Sequence, residues 1–329
     1  MKITKPSYYD RFRCIAGSCP DSCCKEWEVE VDDASAARYR SLTGPLGDRL
    51  RWVLRSEDGV TRMTIEEGRC PMWRQDGLCR IQAELGEEAL CQVCREFPRL
   101  RHDYGDFLEL GLELSCPEAA RLILTAPAEA RITGELPGGE EPGYDTEAMA
   151  VLKATRETAL DLLGGDRSVG QTLALLLLYG YQAQGELDGE EQQPFRPEEA
   201  LASVREFVKK ADFSEVTGFF RTLELLTDNW DERLRGPAEA PLCRECLALG
   251  RYLVERYWLQ AVSDYDLYSR VKFIAVSCLL VSRLGGDFVE TAQLFSKEIE
   301  NNCDNVEALL DAAYAHPAFT DDKLLGWLL

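Results

Sequence analysis

Phe12-Arg13-Cys14-Ile15-Ala16-Gly17-Ser18-Cys19-Pro20-Asp21-Ser22-Cys23-Cys24-Lys25-Glu26-Trp27 carries four cysteines between residues 14 and 24. Cys70, Cys79, Cys91, Cys94 and Cys116 follow, so nine of the thirteen cysteines lie before residue 117. The gaps read C-x4-C-x3-C-C, then C-x8-C, C-x11-C and C-x2-C. Thiols this dense serve as disulfides, as a metal site or in redox chemistry. The choice among them turns on the rest of the chain.

The chain has 329 residues, 45% hydrophobic and 29% charged, with a net charge of −21 and a pI of about 4.6. That sign argues against nucleic acid, whose phosphates demand a basic face, and against an anionic membrane surface. It suits a basic or lysine-bearing partner. The N-terminus has no signal-peptide core. The longest apolar runs, Leu173 to Leu178 and Phe273 to Val281, fall short of the ~18 residues of a membrane helix. These features predict a cytoplasmic protein, where thiols stay reduced and metal ligation outranks disulfides.

Residues 1–128 read as a compact cysteine-rich module of mixed structure. Trp27 to Val31, Val60 to Ile65 and Phe107 to Leu114 alternate as half-buried strands do. Asp32 or Asp33 can cap a helix through Ala36, Tyr39 and Leu42, which Gly44-Pro45 ends. A second short helix runs through Leu46, Leu50 and Val53, and Pro117 opens a third. Residues 129–144, with Gly134, Pro137, Gly138, Gly139, Pro142 and Gly143, read as a linker. Residues 145–329 read as an all-α helical bundle domain, so the fold class is mainly α. Helices are expected over 145–163, 168–184, 197–211, 214–234, 242–262, 264–284, 287–301, 304–314 and 321–328, with starts such as Asp145, Ser168, Asp264, Asp287 and Asp304. The acidity concentrates there: residues 1–128 carry 18 basic and 22 acidic side chains, residues 129–329 carry 19 and 36.

Cys91-x2-Cys94 and Cys19-x3-Cys23 have the spacing of metal knuckles. Spacing does not separate zinc from an iron–sulfur cluster, which thiolates also hold. Neighbours such as Cys23 and Cys24 point in different directions, so one of them is a ligand and the other is packed, ligates a second metal or is a redox thiol. Nine cysteines admit two centres, or one centre with several structural cysteines. Candidate metal ligands are Cys19, Cys23, Cys24, Cys79, Cys91 and Cys94, with Cys14, Cys70 and Cys116 as further candidates. A radical C-x3-C-x2-C motif is excluded, because Glu26 stands where its third cysteine belongs and no β/α repeat follows. Neither a P-loop nor a strand-embedded G-x-G-x-x-G is present. His102, among Arg95, Arg99 and Arg101, belongs to a basic run that can grip an anion or simply face solvent. Cys243, Cys246, Cys278 and Cys303 read as packing or structural residues.

A set of motifs carries a resemblance: Phe12-x-Cys14, Cys19-x-Asp21-x-Cys23-Cys24-x-x-Trp27, Cys79-x-Ile81 followed by Leu85-Gly86, Leu90-Cys91-x-x-Cys94-x-x-Phe97-Pro98-Arg99, and Leu114-Ser115-Cys116-Pro117-Glu118-Ala119-Ala120-Arg121. In these the chain resembles the flagellin lysine-N-methylases over most of residues 8–125. Tyr252 to Phe273 and Phe319 to Leu328 are similar more loosely. A wider likeness is to the small zinc- or iron-chelating domain with a CxxCxxCC core, whose gaps are shorter than those here. The resemblance implies a bacterial, cytoplasmic protein-lysine N-methyltransferase with flagellin as substrate. It also implies S-adenosylmethionine as methyl donor and a cysteine-bound metal centre, [4Fe–4S] before zinc. No catalytic or donor-binding residue follows from it. The competing class is a non-enzymatic iron- or zinc-binding module joined to a helical protein-interaction domain.

Overall fold

The computed structural model describes residues 1–25, 29–125, 131–206, 208 and 212–329. Trp27 of the quoted motifs lies outside the described residues, as do the ends of the expected module at 126–128 and of the expected helix at 209–211. The chain is mainly α-helical, with two small sheets in its first 135 residues.

One sheet has four strands, β1 (Lys2–Pro6), β5 (Arg99–Asp103), β6 (Phe107–Leu112) and β7 (Arg131–Glu135), in the order β5-β6-β1-β7. β1 runs parallel to β6, with Lys2 opposite Phe107. A parallel pair needs a long crossover, and here the crossover contains the segment that bears eight of the nine clustered cysteines. β7 pairs antiparallel with β1, inside the stretch expected as a linker. The second sheet, β2 (Val29–Glu30), β3 (Leu54–Glu57) and β4 (Val60–Met63), has the order β2-β4-β3. β3 and β4 form a hairpin through Asp58 and Gly59, both at positive φ (50° and 81°). Those are the dihedrals of the two-residue turn that matches strand twist.

Two apolar cores result. The smaller joins Val29, Tyr39, Leu50, Val53 and Met72 to Cys70 and Cys91. Helices Asp33–Ser41 and Gly44–Val53 supply Ala36, Tyr39, Leu46, Leu50 and Val53 to it. Asp32 caps the first through Ser35 N at 2.9 Å. Gly44-Pro45, expected to end this helix, instead opens the next one, with Pro in the first turn. The larger core takes Phe12, Phe107, Leu112 and Leu114 from the N-terminal part, adds helix Pro117–Thr125, and continues through the helical half.

At its centre helix Leu267–Leu284 is buried from Leu267 through Ser282. It crosses helix Val169–Leu187 so closely that a Cβ on Gly180 would lie 2.5 Å from Val271 Cγ1. Helices Thr146–Leu163 and Val169–Leu187 start at Asp145 and Ser168 as expected, each cap accepting backbone N–H bonds. Other boundaries differ for tertiary reasons. The expected helix 214–234 is two, Ser214–Phe220 and Asp228–Arg235. Between them the buried side chains of Asn305 and Glu298 accept the N–H groups of Glu224 and Leu226 at 3.0 and 2.8 Å. Helix Leu267–Leu284 is capped by Asp266 rather than Asp264. Helix Cys303–Ala315 is capped by Asn302 rather than Asp304. The expected helix 287–301 is α only over Phe288–Phe295, then widens into a π turn, Ser296–Glu300.

Candidate functional site

The cysteine-bearing loops meet at a cavity of about 470 Å³. Cys14, Cys19, Cys23, Cys24, Cys79, Cys94 and Cys116 line it, with Phe12, Phe97 and Leu90 as apolar wall. The Phe97–Pro98 peptide at its edge is cis. Leu226, Lys297, Asn301 and Asn302 of the helical half close it.

Local structure places each sulfur. Cys91 is the N-cap residue of the short helix Gln92–Glu96, so Cys94 returns to it three residues later. Cys79 holds the same position on helix Arg80–Leu85. Cys24 and Cys70 are sewn together by the bond from Cys70 N to Cys24 O at 2.7 Å. Cys19 ends a 3-10 turn, and Cys116 immediately precedes helix Pro117–Thr125.

The thiols interact in two groups. In the first, Cys94 donates to Cys91, which lowers Cys91 to about 7 and raises Cys94. Cys23 donates to Cys24 and is raised by that bond and by burial. Cys24 is lowered by accepting from Cys23, but its own donation to Cys70 and its burial raise it to about 12. Cys70 is lowered as the acceptor, and burial raises Cys79. Each of Cys24, Cys70, Cys79, Cys91 and Cys94 lies within reach of the charge of at least three of the others. In the second group Cys19 feels Cys14 and Cys23, and Cys116, raised to about 12 by burial, feels Cys19 and Cys23. Cys23 stands between the groups.

Of the expected ligands, Cys24, Cys79, Cys91 and Cys94 therefore come together, and Cys70 joins them. Cys19 lies with Cys14 and Cys116 on the other side of Cys23. Among the described residues no three Cys, His, Asp or Glu side chains converge on one point at metal-ligand distance. The donor chemistry, paired thiols with backbone N–H groups aimed at Cys91, Cys79 and Cys116, fits a thiolate-held metal. Closure onto an ion requires the pairs to draw together.

Asp21, between the two knuckle cysteines, links their loop to the helical half. Lys297 Nζ reaches it at 3.0 Å, Gln293 Nε2 at 3.3 Å and Lys25 Nζ at 3.4 Å. Burial pushes the Asp21 carboxyl up, but the Lys297 ammonium outweighs it and holds the group below the usual carboxylate range. Gln293 also donates to Ser115 O at 2.6 Å, beside Cys116. Lys297, Gln293, Asn301 and Asn302 carried no signal in the sequence, since only the fold brings them to the cysteines.

The basic run divides. Arg95 and Arg99 line the cavity, while Arg101 turns outward to Asp103 at 2.6 Å. His102 is held below its usual range by burial. Cys246 and Cys278 are buried together, Cys278 Sγ lying 3.5 Å from Cys246 O. Cys303, expected to be structural, is exposed at the start of its helix.

Fold and site define a mainly helical protein in which a thiol-lined cavity is closed by a turn of the helical half. The chain is 31% identical over 142 residues to the flagellar biosynthetic protein FliU of Salmonella muenchen, a match covering 41% of this chain and 83% of that protein. It is 31% identical over 134 residues to the lysine-N-methylase of Salmonella typhimurium, and 30% identical over the same length to that of Salmonella choleraesuis. These two matches cover 39% of the chain and about a third (33%) of each lysine-N-methylase. No family model and no solved structure matches the chain. The chain belongs to the flagellin lysine-N-methylase family.

Proposed function

We propose that this protein transfers methyl groups from S-adenosylmethionine to lysine side chains of flagellin in the bacterial cytoplasm. The observation that carries this reading is the match to FliU over 83% of its length, together with two relatives named lysine-N-methylase. Among the described residues no helix is long and apolar enough to cross a membrane.

Methyl transfer from a sulfonium to an amine is a direct displacement. The amine must be neutral, although free lysine titrates near ~10.4, so the site has to desolvate it or accept its proton. The cavity supports this role. Phe12, Ile15, Leu78, Leu90 and Phe97 give it an apolar wall, and Asp21, Glu87 and Glu118 put carboxylates beside it. Alignment of two bound reactants in such a cavity removes much of the orientational entropy of the step.

We further propose that Cys24, Cys70, Cys79, Cys91 and Cys94 provide the ligands of a metal centre, with Cys23 and Cys19 next to it. An iron–sulfur cluster is preferred over zinc, for the excess of thiols over the two histidines. When bound, such a cluster supplies one-electron redox chemistry or, at an open iron, Lewis acidity. The chain's own contribution is to hold the loops around it through the Asp21–Lys297 pair.

The test mixes protein purified without oxygen, S-adenosylmethionine and the cognate flagellin, and reads lysine mass increments by peptide mass spectrometry. Methylated lysines are expected. Their absence with intact donor and flagellin leaves the non-enzymatic metal-binding module as the better reading. Iron and acid-labile sulfide in the same preparation support the cluster, whereas stoichiometric zinc without sulfide replaces it by zinc.

A further inference from the structure

Far along the chain from the cysteine loops, three large side chains stand in water: Tyr181, Tyr314 and Tyr265 are 68%, 63% and 45% exposed. They come from three elements, helix Val169–Leu187, helix Cys303–Ala315 and the turn before helix Leu267–Leu284. The fold gathers them. Tyr181 packs edge-on against Tyr268, ring centres 5.5 Å apart. The Tyr314 hydroxyl donates to Asp266 Oδ1 at 2.7 Å, and Asp188 lies near enough to act on it electrostatically. The charges of Tyr181, Tyr314 and Asp321 all bear on Tyr268.

The charges around these rings are sorted by depth. Asp188, Asp264 and Asp321 are exposed and Asp266 is half-buried. The bases that neutralise two of them lie beneath the surface. Arg270, 5% exposed, holds Asp264 at 2.8 Å, and Lys272, 7% exposed, holds Asp321 at 2.8 Å. Lys272 is pinned there by the carbonyls of Ala313 and Phe319 at 2.9 and 3.2 Å. Among the described residues no salt bridge reaches Asp188 or Asp266. An approaching partner therefore meets phenol rings and carboxylates, with the cations behind them.

The backbone is strained at the same place. Tyr265 has φ 60°, the left-handed region that disfavours a residue with a Cβ. Gln184 enforces it, donating to Tyr265 O at 2.9 Å and accepting from Leu267 N and Tyr268 N at 2.7 and 3.0 Å. The result is a tyrosine displayed at the surface, its hydroxyl on Asp145 at 3.1 Å. Strain kept by surrounding structure points to a use for the displayed group.

We propose that this face, built on Tyr181, Tyr265, Tyr314, Asp188 and Asp266, docks a lysine-bearing segment of a protein partner. Tyrosines are the favoured anchors of protein interfaces. An ammonium is attracted both to a phenol face and to the carboxylates beside it. None of these residues lines the cysteine cavity, so the face captures and orients the partner at a distance from the cavity. The inference rests on the reading that the substrate is a lysine-bearing protein, and it adds where such a protein is held. A second copy of this acidic chain is disfavoured as occupant by its own charge.

The experiment measures binding of dye-labelled peptides by fluorescence anisotropy, using the full chain without methyl donor. One probe carries lysine at every third position with serine between, and its counterpart carries glutamate in place of lysine. The lysine probe is expected to bind and the glutamate probe not. The Tyr181→Ala, Tyr314→Ala double variant should bind about tenfold more weakly, the scale of losing interface tyrosines. Asp188→Asn, which removes charge without removing a ring, should weaken binding about threefold. Raising salt from ~0.05 to ~0.5 M should weaken it further. Equal binding of both probes, or unchanged affinity in the double variant and in Asp188→Asn alike, overturns the proposal. So does sedimentation showing that the face instead mediates self-association. Because binding is read without donor, it is independent of the methylation assay: binding here with no methylated lysine in that assay refutes only the enzymatic reading, whereas methylated flagellin there with no binding at this face refutes only the docking site.

Discussion

The two apolar cores of this protein are stabilised by different means. The larger closes on long helices, and its central helix is buried from Leu267 through Ser282. Two buried ion pairs lie within it: Arg156 meets Glu109 in a two-point bond at 2.7 and 2.8 Å, and Arg256 meets Glu300 at 3.2 Å. The smaller core draws on residues 29–91, two short helices and a three-stranded sheet. A single core of that size supplies only ~3–5 kcal/mol, and natural proteins of the kind add staples. Here five thiols stand at its border, and the proposed centre is the staple.

The sharpest way to break that contrast is to remove a sulfur from each core. Cys91→Ser or Cys94→Ser should empty the proposed centre, leaving less than about a tenth of the metal, since metal binding and folding are linked in small metal-held units. The smaller core should then lose protection from hydrogen exchange while the helical half keeps its own. Cys278→Ser, in the larger core, should keep the metal. Metal analysis with exchange mass spectrometry reads both, and full metal in the Cys91 and Cys94 variants would refute the staple.

Next in size is the ion pair that ties β6 to helix Thr146–Leu163. Glu109→Gln leaves Arg156 buried without its counter-charge and should cost about 3–5 kcal/mol at pH 7. Burial raises the Glu109 carboxyl, but Arg156 and Arg131 hold it below its usual 4.5. Its contribution is therefore fully present above pH 4.5 and is lost as pH falls through the depressed folded value. Urea unfolding of parent and variant should differ widely at pH 7 and converge in acid. A gap that stays constant with pH would assign the loss to packing.

The smallest effect concerns the joint between the regions. Lys297→Met removes the ammonium nearest Asp21, a half-buried, charge-assisted bond worth about 1–3 kcal/mol. Unfolding should separate into two steps as the cysteine loops uncouple from the helical half. A single unchanged transition would place the coupling elsewhere, in Gln293 or in the shared apolar wall.

How much of this was legible in the sequence depended on range. Cys91-x2-Cys94 could be read because one helical turn brings the pair together. The caps Asp145, Ser168 and Asp287 could be read because a cap acts on its next two or three residues. Asp58-Gly59 was equally local and marks a hairpin that strand patterning alone did not show. Cys70 could not be ranked above Cys19, because its place beside Cys24 comes from backbone bonds between loops 46 residues apart. β1 and β7 escaped notice because their side chains are half-buried or exposed, so no alternating pattern marks them. The break at 221–227 depends on Asn305 and Glu298, which lie more than 70 residues away.

The π turn Ser296–Glu300 has one more consequence. A widened turn inserts a residue into helical register, and here successive side chains face three different neighbours. Lys297 faces Asp21, Glu298 faces Leu226 and Thr227, and Glu300 faces Tyr252, Tyr257 and Arg256. Losing one residue at its start would turn everything beyond it by about 100° and break all three contacts at once. In evolutionary terms these five positions form one heritable unit, which lineages should keep whole or replace whole.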